Sequence, residues 1–124
     1  MITFRIATPD ELNEINSFSE CKYPVSAVYM VGADENGIYG YCAFTLDGES
    51  AVLLNAEFIK GDNEYVLKTI CKAAFNLIDL SGINKVYCEN ENIKSILDVL
   101  GFSKENGKYF LSLDGYFKPC SECK

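Results

Sequence analysis

One carboxylate stands inside an otherwise apolar run. Residues 50–59 read Ser-Ala-Val-Leu-Leu-Asn-Ala-Glu-Phe-Ile, and Glu57 is the only acid among them. A charge in such company costs desolvation unless something compensates it. Two readings fit: a general base or ligand contact, or a strand end that reaches solvent. Asn55, two residues earlier, shares a strand face with Glu57 and can orient a ligand beside it. The chain contains no His, which excludes Cys-His and Ser-His nucleophile pairs.

Thiols are the other reactive groups, and there are six. Cys42 and Cys88 fall in strand patterns and Cys71 in a helix pattern, each flanked by apolar residues. They read as small core hydrophobes. Cys120 and Cys123 form a Cys-x-x-Cys pair at the chain end. A structural zinc takes about four ligands, and one pair supplies two. The expectation is a tail, residues 118–124, with two free thiols and no metal. The alternative is a metal shared by two chains of a twofold homodimer.

Composition narrows the partners. The formal net charge is −7, and Arg5 is the only Arg. Duplex binding needs clustered cations, so nucleic acid is not expected. No apolar run approaches the roughly 20 residues that span a bilayer, so no membrane partner is expected. Residues 1–10 lack the apolar core of a signal peptide. The expected setting is cytoplasmic, and the expected partner a small molecule or another protein.

These residues must be positioned by a mixed α/β arrangement. Ile2, Phe4 and Ile6 alternate as a first strand. Thr8, Pro9 and Glu11 carry the signature of a capping box opening a helix with Leu12, Ile15 and Phe18 on one face. Strands over 28–33, 38–46 and 50–59 follow, joined at Asn36-Gly37 and Asp47-Gly48. The third, being long and apolar, is expected to be central and covered on both faces. Asp62 or Asn63 caps a helix over 64–80, stopped by Gly82. A strand over 85–88 comes next. Asn90 or Asn92 then caps a short helix ending at Gly101, and strands over 102–105 and 108–113 meet at Asn106-Gly107.

The order β-α-βββ-α-β-α-ββ, with Asn90 leading through a short helix into Leu100-Gly101-Phe102 and with Ser81 to Val86 as helix end and following strand, resembles the GNAT acetyltransferase superfamily. The resemblance covers residues 2–117 and implies one α+β domain over 1–117. In it, a mixed, mostly antiparallel sheet is flanked by helices. It also implies acetyl-CoA as acyl donor and a small amine as acceptor. The donor would enter where the strands 50–59 and 85–88 splay apart, placing Glu57 as base, Asn55 toward substrate, and Phe58, Ile59, Lys60, Gly61, Asp62, Asn63, Glu64, Tyr65 and Asn90 around the coenzyme.

The chain departs from that pattern at three places. The family's diphosphate loop, Arg/Gln-x-x-Gly-x-Gly/Ala, falls on Asp62-Asn63-Glu64-Tyr65-Val66-Leu67, which has neither glycine and opens with an acid. Carboxylates there satisfy the helix amides and macrodipole themselves, worth about 0.3–1 kcal/mol, and repel a diphosphate. Lys60 and Lys68 flank the loop as partial compensation. The family's acidic Tyr, seven residues after the Asn, falls on Leu97, which cannot donate a proton. Only one helix fits between the first two strands, leaving the acceptor side open. Weak or absent coenzyme binding and impaired transfer are therefore expected. The alternative is an inactive GNAT-like domain that binds a small ligand or a protein.

Overall fold

The computed structural model describes residues 1–18, 23–24 and 26–117. It contains seven strands and three helices: β1 (Thr3–Ile6), α1 (Pro9–Phe18), β2 (Val28–Asp34), β3 (Gly37–Asp47), β4 (Ser50–Phe58), α2 (Glu64–Leu80), β5 (Lys85–Cys88), α3 (Lys94–Leu100), β6 (Ser103–Glu105) and β7 (Lys108–Ser112), with a 3-10 turn, Glu91–Ile93, before α3. The strands form one sheet in the order β1-β2-β3-β4-β5-β7-β6. Every neighbouring pair is antiparallel except β4 and β5, which run parallel. Among the described residues no helix is long and apolar enough to cross a membrane.

Local chemistry explains the helix ends. Thr8 N donates to Glu11 Oε1 at 2.9 Å and Glu11 N to Thr8 Oγ1 at 3.3 Å, the reciprocal pair of a capping box. Asn63 caps α2 by accepting from Tyr65 N at 3.0 Å. At the other end Gly82, with φ of 88°, lets Ile83 N reach Ile78 O and Gly82 N reach Asp79 O, a Schellman ending. Two turns lie differently from the sequence expectation. Asp34 pairs with Gly37, so the first hairpin turns on Glu35 and Asn36, one residue early. Asp34 Oδ1 accepts from Asn36 N at 2.8 Å and makes this Asx turn locally favourable. Asp47 pairs with Ser50, which puts Gly48 and Glu49 at the second turn.

The core lies mainly between the sheet and α2 with α3. Val66, Leu67, Ile70, Cys71, Ala74, Phe75 and Ile78 form the buried face of α2. Cys42, Cys71 and Cys88 are all buried in this layer. The Cys71 thiol beside it and full burial hold the Cys42 thiol well above its usual pKa, and burial raises that of Cys88. Cys42 and Cys88 are therefore packing groups rather than thiolate nucleophiles. On the opposite face a smaller cluster joins Ile15 of α1 to Tyr29, Val31, Ile38, Tyr41 and Ala43. Strand β4 is central, as expected, but is not fully covered on that side: Val52 and Leu54 are only half-buried. The reason is size, since α1 has ten residues and packs over β2 and β3.

Glu11 also receives both guanidinium nitrogens of Arg5, at 2.6 and 2.8 Å. Chiefly through that bidentate bond, its carboxyl is lowered to about 2. A depressed folded pKa stabilises above the unfolded value and is lost as pH falls through the folded one. The urea midpoint of wild type should therefore exceed that of Glu11→Gln near neutrality. The gap should close as pH falls from about 4.5 toward 2. A gap independent of pH over that window would rule out the ionic contribution.

Candidate active site

The site begins with a defect in β4. Ala43 pairs with Asn55 but Phe44 pairs with Leu53, so Leu54 is an extra residue, a β-bulge. It resets the alternation: Leu53 and Ala56, three apart, both face the α2 core. Asn55 and Glu57 are thereby turned to the other face, beside Tyr41 across the β3 ladder. The parallel ladder to β5 ends at the same place, with Leu53 opposite Cys88. Beyond it the strands part, and β4 from Asn55 to Phe58 has no strand on that edge.

The gap is a cleft of about 450 Å³, lined by Asn55, Ala56, Glu57 and Phe58 on one wall and by Asn90, Asn92, Ile93, Ser95 and Ile96 on the other, with Leu67 at its base. Asn90 ties its mouth together: Nδ2 donates to Leu54 O at 3.1 Å and Asn55 Oδ1 at 3.2 Å, while Asn92 N donates to Asn90 Oδ1 at 3.0 Å. Gly40 makes room behind Glu57, because a Cβ there would stand 2.8 Å from the Glu57 carbonyl oxygen.

Among the described residues Asn55 is the only buried polar one, and its amide is fully engaged. Nδ2 donates to the Tyr23 hydroxyl at 2.8 Å and the Tyr41 hydroxyl at 3.2 Å, while Oδ1 accepts from Ala56 N at 2.9 Å and from Asn90. Tyr41 is fully buried, and its hydroxyl donates to Glu57 Oε1. Among the described residues no buried side-chain polar atom lacks a partner. Glu57 is half-buried and lies on the cleft wall.

The candidate residues thus divide. Asn55, Glu57, Phe58 and Asn90 meet at the cleft. Lys60, Gly61, Asp62 and Asn63 line a separate hollow of about 220 Å³ with Ile2, Tyr39 and Val66; Phe58 borders both. Ile59 packs instead against the cluster on the α1 face. Glu64 and Tyr65 are exposed at the start of α2 and line neither cavity. Lys60 Nζ is held at 2.5 Å by Asn36 O and sits 4.9 Å from the Tyr39 ring centre, directed to the first hairpin rather than to the helix start. Leu97 is fully buried. Cys120 and Cys123 lie outside the described residues. Among the described residues no group of three or more metal-ligating side chains converges. Tyr23 and Tyr41 were not marked by the sequence; the one hint is that Tyr41 alternates with Ala43, which shares its face of β3.

A seven-stranded, mostly antiparallel sheet, split beside one parallel pair and flanked by helices, is the fold of the GNAT acetyltransferases. The chain is similar to the spermidine/spermine N-acetyltransferase SpeG of Vibrio cholerae, with a TM-score of 0.73 at 14% identity over 94% of this chain and 97% of that one. It is also similar to a GNAT-family acetyltransferase of Staphylococcus aureus Mu50, with a TM-score of 0.72 at 13% identity over 91% and 99% of the chains. A third similar structure, a GNAT-family acetyltransferase of Elizabethkingia anophelis with acetyl-CoA bound, has a TM-score of 0.66 at 15% identity over 90% and 98%. No protein-family model matches the sequence, and no curated protein matches it. Identities this low define a fold, and function has to be argued from the site.

Proposed function

We propose that this protein transfers an acyl group from acyl-coenzyme A to a small amine, with Glu57 as general base and a weak hold on the coenzyme. The observation that carries the reading is the placement of Glu57. It stands on the wall of the cleft formed by the strand split, its carboxylate held by a buried tyrosine hydroxyl. An amine arrives at neutral pH as an ammonium, and it must lose a proton before its lone pair can attack a carbonyl. The unpaired edge of β4 at Asn55 to Phe58 suits a donor with an amide-bearing arm, because its main-chain groups can take hydrogen bonds as a sheet edge does. Acyl-coenzyme A supplies the acyl group and leaves as the thiol. With Leu97 in the core, no side chain at that position protonates the leaving sulfur. A thiol of pKa about 8.5 is a good enough leaving group to depart as thiolate.

The start of α2 fits the diphosphate poorly. Asn63 already satisfies the Tyr65 amide, and Asp62 and Glu64 put two carboxylates beside the amides that would bind it. Lys60, directed elsewhere, offsets little of this. The expected Kd for acetyl-CoA is on the order of 1 mM. Asp62→Arg with Tyr65→Gly exchanges an acid for a base and removes a ring that is 73% exposed. That variant should bind roughly tenfold or more tightly, about 1.4 kcal/mol. Titration calorimetry with acetyl-CoA and with coenzyme A checks both statements; micromolar binding by the unmodified chain would overturn them. Mass detection of amide products from acetyl-CoA and a panel of primary amines tests the reading as a whole.

The acidic α2 start together with the buried Leu97 also favours a second reading, an inactive domain that uses the same cleft to hold a small ligand or a protein segment. Absence of both heat with coenzyme A and amide product would leave that reading in place.

A further inference from the structure

The sheet face turned away from α2 is only partly covered. In β5 and β7, Val86, Cys88, Tyr109 and Leu111 belong to the α2 core. Tyr87 and Phe110 alternate with them and so point to the opposite face, paired across the ladder with ring centres 5.3 Å apart. Val52 stands beside Tyr87 on β4, and Ser103 beside Phe110 on β6. Among the described residues α1 is the helix on this side, and it packs over β2 and β3. Tyr87, Phe110 and Val52 are accordingly only half-buried, and the two rings floor a hollow of about 440 Å³. Further along the strands Lys108 Nζ lies 3.7 Å from Glu89 Oε2, with both side chains exposed. Glu105 opposes Lys108 on β6, and Lys85 begins β5.

We propose that this face is a self-association surface whose partner is a second copy of the chain, stacked face to face about a twofold axis that runs along the strands between β5 and β7. Charge selects that partner. The chain carries a net −7, so two copies repel over most of their surface. This face, with Lys85 and Lys108 against Glu89 and Glu105, is neutral, and a strongly basic or acidic partner finds no complement on it. Self-complementarity selects the axis. The rotation exchanges β5 with β7, so the Tyr87 ring meets Phe110 of the second copy and the Phe110 ring meets its Tyr87. The same rotation sets Glu89 against the second copy's Lys108 and Lys108 against its Glu89. With the pair inside each chain, this closes a square of alternating charge. Shape agrees: a helix is about 10–12 Å thick and stacked sheets lie about 10 Å apart. The second copy's β7 and β6 therefore fit beside α1, in the layer that α1 begins, with its β6 over Val52.

The open face is small. Four strands about 4.8 Å apart and five residues rising about 3.3 Å each give roughly 300 Å² in plan, where a standard interface buries about 800 Å² on each partner. The dimer is therefore a weak one, with a Kd on the order of 100 μM. None of its residues lines the cleft that holds Glu57, so the inference stands apart from the acyltransferase reading.

Sedimentation velocity on the full chain, from about tenfold below that concentration to about tenfold above it, tests the proposal. Wild type should pass from monomer to dimer and no further, because a twofold contact closes on itself. Lys108→Glu puts four carboxylates in the square and should raise the Kd about tenfold or more. Glu89→Lys puts four ammonium groups there and should do the same. The two variants mixed, or both changes made in one chain, should restore association, which a folding defect could not do. Wild type that stays monomeric throughout overturns the proposal; if its Tyr87 and Phe110 ring signals then shift on adding acetyl-CoA, the face belongs to a small ligand instead. Association that Lys108→Glu leaves unchanged, or that the paired changes fail to restore, places the contact elsewhere and overturns it equally.

Discussion

Glu57→Gln is expected to slow acyl transfer by about a hundred- to ten-thousandfold, the usual range for loss of a general base. Gln is close in size and can still accept the Tyr41 hydroxyl through its oxygen, so the fold and the cleft wall should persist. What is lost is the ability to take a proton from an ammonium. The effect should fall on kcat, with coenzyme affinity unchanged within error, because Glu57 lies away from the α2 start. Raising pH should not restore the rate fully, since a neutral amide has no basic form in that range. Assaying product formation for wild type and variant at matched substrate levels decides the point. Equal rates would return Glu57 to the role of a strand end that reaches solvent.

Phe75→Ala should cost about 3–5 kcal/mol of stability, a large share of the roughly 5–15 kcal/mol that a small domain has. Phe75 is fully buried in the middle of α2. Its ring packs 5.8 Å from Phe102 and 6.1 Å from Tyr116, so it joins α2 to the entry of the last hairpin and to the segment after β7. Removal leaves a cavity that three different elements would have to close. Chemical denaturation measures it directly; a loss under about 1 kcal/mol would mean that the core collapses around the gap. The Phe75 site lies in the layer under α2 and α3, so the variant also separates stability from the chemistry proposed at Glu57.

Local features were legible in the sequence because local chain chemistry makes them. The capping box at Thr8 and Glu11, the cap at Asn63, and the helix Glu64–Leu80 and strand Lys85–Cys88 with their bounds all follow from residues within a turn or two of one another. The turn at Asn106-Gly107 is of the same kind, with both residues at positive φ. The first hairpin shows the limit even of local reading: the Asp34 side chain competed with Gly37 for the turn and moved it by one residue.

The candidate site was legible only as separate residues. Glu57 and Asn55 stood out because polar groups in an apolar strand are costly, and Asn90 through its place in the resemblance. Nothing in the spacing tied Glu57 to Tyr41, sixteen residues earlier, or Asn55 to Tyr23, thirty-two residues earlier. The sequence by itself determined the elements, their order and the polar residues that needed partners. The tertiary structure alone decided the partners: the bulge at Leu54 turned Asn55 and Glu57 toward Tyr41, the hairpin captured Lys60, and α3 rotated Leu97 into the core. The physical reason is that a helix or turn is set by contacts a few residues apart, whereas a one-residue shift in a strand ladder exchanges its two faces and is fixed only when the neighbouring strands pair.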